Sequence, residues 1–414
     1  MAIHTGRYLG ATEQFFWLSD QLEPKHFSLV AEIEGPTTAE GWRTAFDLLQ
    51  TRHPLLQVRI VQDGDETPRF EYVPEARISL DIVSDTGESR WEEHVVAEFK
   101  RPFPFGTGPL IRARLLHTPN RTILVLVVHH AIADGLSSAY LVRDLLKALS
   151  GQPLPPLSLP QAQENYLSTE VVTPAASTPD DDRTTSPWPP ARSQDTTATT
   201  LSVQSLKLSK ALTDLLRSKS RKEGTTVHGT LIAALTLAGH QLSDHWSRLP
   251  ARVVSPVNNR LLLGLEDDCV ASIVFPIGVY KTDSLAEFWN TARKVTQDIA
   301  PARTREGVTY AFEAMTGLIQ SRRTPEAIVE FERVVVANEM MVSNLGVLPF
   351  ESQFGEMRLT SLWGPAVLIG IEGEQIIGVS TVNDQIHLLR TSYSPIAGLL
   401  DRAASILRSV VEEQ

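Results

Sequence analysis

The spacing of apolar and polar positions changes along the chain, and each change predicts an element. Phe27 to Ile33 alternates loosely and stops at Gly35-Pro36, which predicts a strand. Thr38 is a good N-cap, and Trp42, Ala45, Phe46 and Leu49 then fall on one face of a helix reaching about Thr51. Leu110 to Leu116 alternates as a strand, with Arg112 and Arg114 opposite Ile111, Ala113 and Leu115. Thr122 to Val128 is an unbroken run rich in β-branched residues, the pattern of a strand buried on both faces. From Leu136 to Leu149 the period lengthens again, and Leu136, Tyr140, Leu141, Leu145 and Leu149 make a helical stripe.

The second half repeats this mixture. Ser209 to Lys222 reads as an amphipathic helix capped by Ser209, and Val227 to Gln241 as a more apolar, buried one. Strands are predicted at Arg252 to Pro256, Ser272 to Tyr280 and Gln375 to Val379. A last helix is predicted from Ser394, with Pro395 at its first position, to Val411. Between the halves, Gly151 to Thr200 holds nine of the 26 prolines, the run Asp180-Asp181-Asp182 and many Ser and Thr. Such a stretch buries too little apolar surface to offset its ordering entropy, so it reads as a linker. The expected organisation is an α/β protein: a domain over 1–150, a Pro/Ser/Thr-rich acidic linker over 151–200 and a second domain over 201–414. A chain of 414 residues suits two such domains.

Charge and composition narrow the function. A formal net charge of −11 disfavours nucleic acid, whose phosphates need a basic surface. The single cysteine, Cys269, excludes an internal disulfide framework and a multi-thiolate zinc site. No apolar run approaches the roughly 20 residues that span a bilayer, and the first residues have no signal-peptide core, so a soluble cytoplasmic protein is expected.

The stretch Val127 to Ser138, VVHHAIADGLSS, carries the chemistry. Two histidines leave a buried strand, and Asp134-Gly135 follows just before a helix. A strand end holds a base rigidly within reach of the proton it takes. Gly135 either adopts an unusual backbone angle or lets a substrate pass close by. A plain reading remains open for each part alone: a satisfied strand-end histidine, and an Asp-Gly cap. A metal reading, with His-His-x3-Asp as ligands, meets the difficulty that adjacent strand residues point to opposite faces.

As a whole, His129-His130-Ala131-Ile132-Ala133-Asp134-Gly135 resembles the HHxxxDG signature of the condensation-domain acyltransferase superfamily, built as a fused pair of chloramphenicol-acetyltransferase-like domains. Arg52-His53-Pro54-Leu55-Leu56 is similar to that family's RHPLL turn, and Gly108-Pro109-Leu110 to the GPLxR segment that opens its next strand. Ser255-Pro256-Val257-Asn258-Asn259-Arg260 resembles its PVNLR segment, with Asn259 where Leu is commoner, and Ser343-Asn344-Leu345-Gly346 resembles an SNLG segment. The size is closest to the stand-alone polyketide-associated (PapA-type) members, similar to phthiocerol dimycocerosyl transferase. The DFGWG motif of the plant branch is absent; Leu362-Trp363-Gly364-Pro365 does not reproduce it.

The resemblance implies two α/β sandwich domains with the active-site channel at their interface and a segment within Asn344 to Asp384 crossing to the first domain. It implies His130 as general base in acyl transfer from a thioester to a hydroxyl or amine, with His129 and Gly135 as supporting residues. Asp134 would hold the loop by pairing with an arginine, for which Arg260 is the candidate. Ser343 and Asn344 either donate to the oxyanion or form a polar turn. The donor would be CoA or the phosphopantetheine of an acyl carrier protein from a polyketide or peptide synthase. The acceptor would be a hydroxylated small molecule, and neither a metal nor a bound cofactor is implied. Arg303, Arg305, Arg322 and Arg323 read either as a carrier-docking patch or as a solvated helix face. Two other classes stay in view: an idle module that binds a carrier protein, and a same-fold catalyst of cyclisation or dehydration.

Overall fold

In the computed structural model, residues 6–84, 90–167, 191–192, 194 and 199–412 are described. Among them, two six-stranded sheets organise the chain. The first runs, edge to edge, Gln353–Phe354, Met357–Ala366, His26–Glu34, Arg121–His129, Ile111–Thr118 and Ser79–Ser84. Its centre is buried on both faces: Arg121–His129 exposes only its first residue. That burial is what an unbroken run of β-branched and aliphatic residues requires, because no polar face is left for water. Helices Ala39–Arg52 and Gly135–Leu149 pack together beside this sheet.

The second sheet runs Ile277–Tyr280, Ala251–Val254, Met340–Val347, Gln375–Val382, Gln385–Ser392 and Ser202–Lys207. Helix Val227–Leu242 is apolar nearly all round and sits among Lys210–Lys222, Phe288–Ile299 and Leu399–Glu412. The fold class is therefore mixed α/β with two sheets, as the hydrophobic pattern leads one to expect.

One strand breaks the sequence order. Met357–Ala366 pairs antiparallel with His26–Glu34, so a segment from late in the chain completes the early sheet. It also lies against the second sheet, where Gly378 is needed: a Cβ there would stand 2.2 Å from the Pro365 carbonyl oxygen. Ser380 Oγ donates to Leu362 O at 2.5 Å across the same contact. The two sheets thus meet over the crossing strand.

Three local readings differ from expectation. Ser272 to Tyr280 is two short strands, Ile273–Val274 and Ile277–Tyr280, because Pro276 cannot donate to a ladder. The last helix begins at Leu399 rather than Ser394, since Gly398 has φ +74° and ends any earlier turn. Ser343 to Gly346 is part of the Met340–Val347 strand, not a turn. The stretch read as linker is ordered in its first part. Arg52 donates to Pro155 O (2.6 Å), Leu157 N donates to Arg52 O (2.8 Å) and Gln163 is buried. Its polar groups find partners on the protein, which composition does not report. Residues 168–190, with the run of aspartates, lie outside the described residues.

Candidate active site

His130 leaves the end of the central strand Arg121–His129, opposite Lys25 at the start of His26–Glu34; its N–H donates to Lys25 O at 3.3 Å. The imidazole stacks against Phe16 (centroids 4.5 Å, 14° between planes) and Phe27 (4.2 Å, 30°). Two near-parallel rings at those distances cannot share one face, so the imidazole is held between them. Nδ1 lies 3.2 Å from Ala133 O. A carbonyl only accepts, so Nδ1 carries the hydrogen and Nε2 keeps its lone pair. Burial lowers the His130 pKa to about 3, and His129 and Lys25 push it the same way, against the Ala133 contact. The ring is a neutral acceptor at neutral pH.

His129 points to the other face of the strand. Its Nδ1 accepts the Ala131 N–H at 3.0 Å, and Nε2 stands 3.3 Å from Asp20 Oδ1. Burial pushes the Asp20 carboxyl up, but His129 and the Lys25 N–H pull it further, leaving it below its usual value. The two histidines diverge and cannot share an ion. Among the described residues no cluster of His, Cys, Asp or Glu is arranged to hold a metal.

Asp134 is turned into the protein. It is the N-cap of helix Gly135–Leu149: Oδ1 accepts from Ser137 N (2.6 Å) and Ser137 Oγ (2.8 Å). Oδ2 accepts from Ser272 N at 3.0 Å, and Arg260 Nη2 reaches Oδ1 at 3.4 Å. Arg260 is also fixed by Asp268 O (2.7 Å) and Val270 O (3.2 Å). One carboxylate thus ties the loop after His130 to the second half of the chain. A second tie uses the RHPLL arginine: Arg52 bonds Asp144 (2.8 Å) and Asp267 (2.9 Å), and Arg143 bonds Asp267 at 2.8 Å.

Gly135 has no unusual backbone angle. Space beside it is tight, since a Cβ would stand 2.9 Å from Leu345 Cδ2 and 3.3 Å from Pro365 Cγ. A cavity of about 350 Å³ opens beside it. His130, Gly135 and Lys25 line it from the first half of the chain, and Asn258, Ser343 and Asn344 from the second. Most of the remaining wall is apolar, including Phe275, Met315 and Val335. Asn344 Oδ1 accepts the Gly346 N–H at 2.8 Å, so its amide NH2 is left as a donor. Cys269 is buried under the loop; its Sγ lies 3.3 Å from Ile132 O, and burial pushes the thiol pKa far up. Arg303, Arg305, Arg322 and Arg323 are all exposed.

Several residues around His130 escape sequence reading. Phe16 lies on helix Ala11–Asp20, whose start is marked by Glu13 accepting the Gly10 N–H at 2.8 Å. Glu13 and the apolar run after it are the available signal, half of a capping box. Lys25 and Glu332 give none, because they are distant in sequence and unremarkable in composition.

Residues 16–260 match the condensation-domain family, and the chain belongs to it. That family carries out acyl or peptidyl transfer in secondary-metabolite synthesis. The chain is 29% identical over 157 residues to bacitracin synthase 3 of Bacillus licheniformis, covering 36% of this chain and 2% of that protein. It is 32% identical over 171 residues to phosphinothricin tripeptide synthetase PhsC of Streptomyces viridochromogenes, covering 37% and 16%. The chain therefore spans a small part of the curated relatives it matches. Its fold is similar to polyketide synthase associated protein 5 from Mycobacterium tuberculosis (TM-score 0.67, 18% identity, 100% of both chains). It is also similar to the first condensation domain of the CDA synthetase (0.70, 16%, 99% and 97%). A third similar structure is a mutant starter condensation domain of rhizomide synthetase RzmA in complex with C8-CoA and Leu-SNAC (0.63, 15%, 98% and 94%). Among the described residues no helix is long and apolar enough to cross a membrane.

Proposed function

We propose that this protein moves an acyl group from a thioester, of CoA or of a carrier protein's phosphopantetheine, to a hydroxyl acceptor, with His130 as general base. The reading takes 1–150 and 201–414 as two domains, joined by 151–200, with the reaction between them. The observation that carries it is the neutral imidazole at a cavity lined by both halves, its Nδ1–H fixed on Ala133 O.

In this mechanism the acceptor proton passes to Nε2 as the acceptor oxygen attacks the thioester carbonyl. The C–O bond forms and the carbonyl becomes a tetrahedral oxyanion, for which the Asn344 amide and Ser343 hydroxyl are the candidate donors. Collapse breaks the C–S bond, and the leaving thiolate takes the proton back from the imidazolium. Asp134 and Arg260 hold the loop and take no part in proton transfer. No acyl-enzyme is needed, and the buried, protonated Cys269 is unsuited to form one.

An amine acceptor is the second reading, because a relative at 32% identity is a tripeptide synthetase. An idle carrier-binding module is disfavoured by the intact His130 and Gly135, and carrier docking by the exposed arginines remains part of the proposal. The test is intact-protein mass spectrometry with octanoyl-N-acetylcysteamine. The thioester alone should leave the protein mass unchanged, and adding an alcohol should release octanoyl ester. A stoichiometric adduct that the alcohol then discharges would make the adduct-bearing side chain a nucleophile and overturn direct transfer.

A further inference from the structure

Lys25 is the cross-strand neighbour of His130. His26 faces His129 in the antiparallel register, and the His130 N–H bond to Lys25 O extends that register by one residue. Facing residues project to the same side, with Cβ atoms about 4.5–5.5 Å apart. Phe27, two residues after Lys25, stacks on His130, which fixes that side as the cavity side. A lysine thus stands next to the base, in a cavity whose wall is otherwise mostly apolar.

Its ammonium group bonds Ile369 O at 2.5 Å and pairs with Glu332 Oε1 at 3.2 Å. Glu23 Oε2 stands 3.8 Å away, a second ion-pair partner beyond hydrogen-bond length. Glu332 also lines the cavity, and Ser19 Oγ holds its other oxygen at 2.5 Å. Lys25 and Glu332 are both almost fully buried. Such a pair does little for the fold, since well-packed apolar residues in its place are often neutral or stabilising. Its effect falls on what enters the cavity. A purely aliphatic chain laid against the pair's cavity edge would return no hydrogen bond to it, whereas a hydroxyl oxygen would.

We propose that Lys25 and Glu332 form a specificity device in the cavity wall that selects substrates carrying a hydrogen-bonding oxygen over plain aliphatic ones. The proposal rests on the transfer reading above and names the class of substrate that the site takes. A site built to bond a hydroxyl rejects the analogue lacking it far more strongly than an apolar pocket rejects an added hydroxyl.

The test reads binding first, so that it does not depend on turnover. Titration calorimetry of the full chain compares 1,3-octanediol with 1-octanol, two neutral probes differing by one oxygen. The diol should bind at least ten-fold tighter. In Lys25→Met/Glu332→Leu, which removes both charges of the pair together and leaves Glu23 its Arg333 contact at 3.3 Å, the ratio should fall to near one. Should that variant not fold, Glu332→Gln keeps the lysine and should lower the ratio by a smaller factor. Equal affinities in the natural protein, binding of neither probe, or an unchanged ratio in a folded variant would each overturn the proposal. The same probes are then offered as acceptors with octanoyl-N-acetylcysteamine. A retained binding preference with no ester formed would count against the transfer reading and leave this inference standing.

Discussion

His130 has a low proton affinity because of where it stands, and that bears on how it works. With a pKa of about 3 in the free protein it takes a proton only when a negative charge grows beside it. In the proposed transfer the tetrahedral oxyanion is such a charge, so imidazolium and oxyanion would form together and stabilise each other. The neighbouring motif residues act differently. Asp134→Ala removes a helix cap and strands the Arg260 guanidinium, at a cost of about 3–5 kcal/mol, so it should lower the melting temperature sharply as well as the activity. Thermal unfolding followed by circular dichroism checks this. A variant as stable as the parent but fully inactive would place Asp134 in the chemical step. Cys269→Ser should keep near-normal turnover in a thioester assay, since nothing in the proposed chemistry passes through the thiol. The candidate roles of His130 and Asp134 could be framed from sequence because the pattern packs both into seven residues. The Phe16–His130–Phe27 stack could not, because it joins a helix and two strand ends that meet only in the folded chain.

Elements, more than residues, decide whether the cavity exists. The N-terminus of helix Gly135–Leu149, the Met340–Val347 strand and the crossing strand Met357–Ala366 meet around Gly135. Gly135→Ala places a Cβ against the flexible end of Leu345 and should cost less than about 1 kcal/mol. Gly135→Val adds two methyl groups facing Leu345 and Pro365, and overpacking of that kind costs about 1–3 kcal/mol. Chemical denaturation of the two variants should show that order, and an equal cost would mean that the contact is looser than the geometry says. The strand Phe27 to Ile33 and the helix after Thr38 were legible because their apolar period is clean and their ends carry Gly-Pro and a Thr cap. The break at Pro276 was legible in principle, though a strong apolar pattern on both sides hides it. The pairing of Met357–Ala366 with His26–Glu34 was not readable from period or composition, since nothing local tells a strand which sheet it joins. It could be expected only from the family resemblance.

For the whole molecule, buried histidines set the response to acid. Burial lowers His26, His228 and His387 to about 4 and His130 to about 3, with nearby positive groups adding to it. A depressed pKa means that the unfolded chain binds protons which the folded chain refuses, so stability falls as pH drops from about 6.5 toward 4. Glu374 opposes this. Burial raises it to about 7, so it favours the folded state at low pH and loses that contribution as pH rises through 7. Glu164 and Glu332, also raised by burial, act in the same sense, while the lowered His53 sides with the four histidines; the lowered Asp20 and Asp144 add acid destabilisation only below about pH 4. Acid destabilisation therefore dominates. The melting temperature should decline between pH 6.5 and 4.5, and scanning calorimetry across that range would reveal a flat profile if the histidines were solvated. The same values predict that kcat/KM shows no acid limb near pH 6.5, because His130 is already neutral there.

Composition set the expectation of two domains and of an aversion to nucleic acid. It held no hint that residues 151–167 would dock against the protein, where Gln163 bridges Thr12 (2.7 Å) and Ile273 O (3.1 Å). That Nε2 of His130 takes the acceptor proton comes down to one rate: initial octanoyl transfer to an alcohol by His130→Ala, measured beside the parent. With the fold intact by circular dichroism, the variant should be slower by roughly 10²–10⁴. Transfer within about three-fold of the parent would contradict the assignment, because losing a general base costs far more than that.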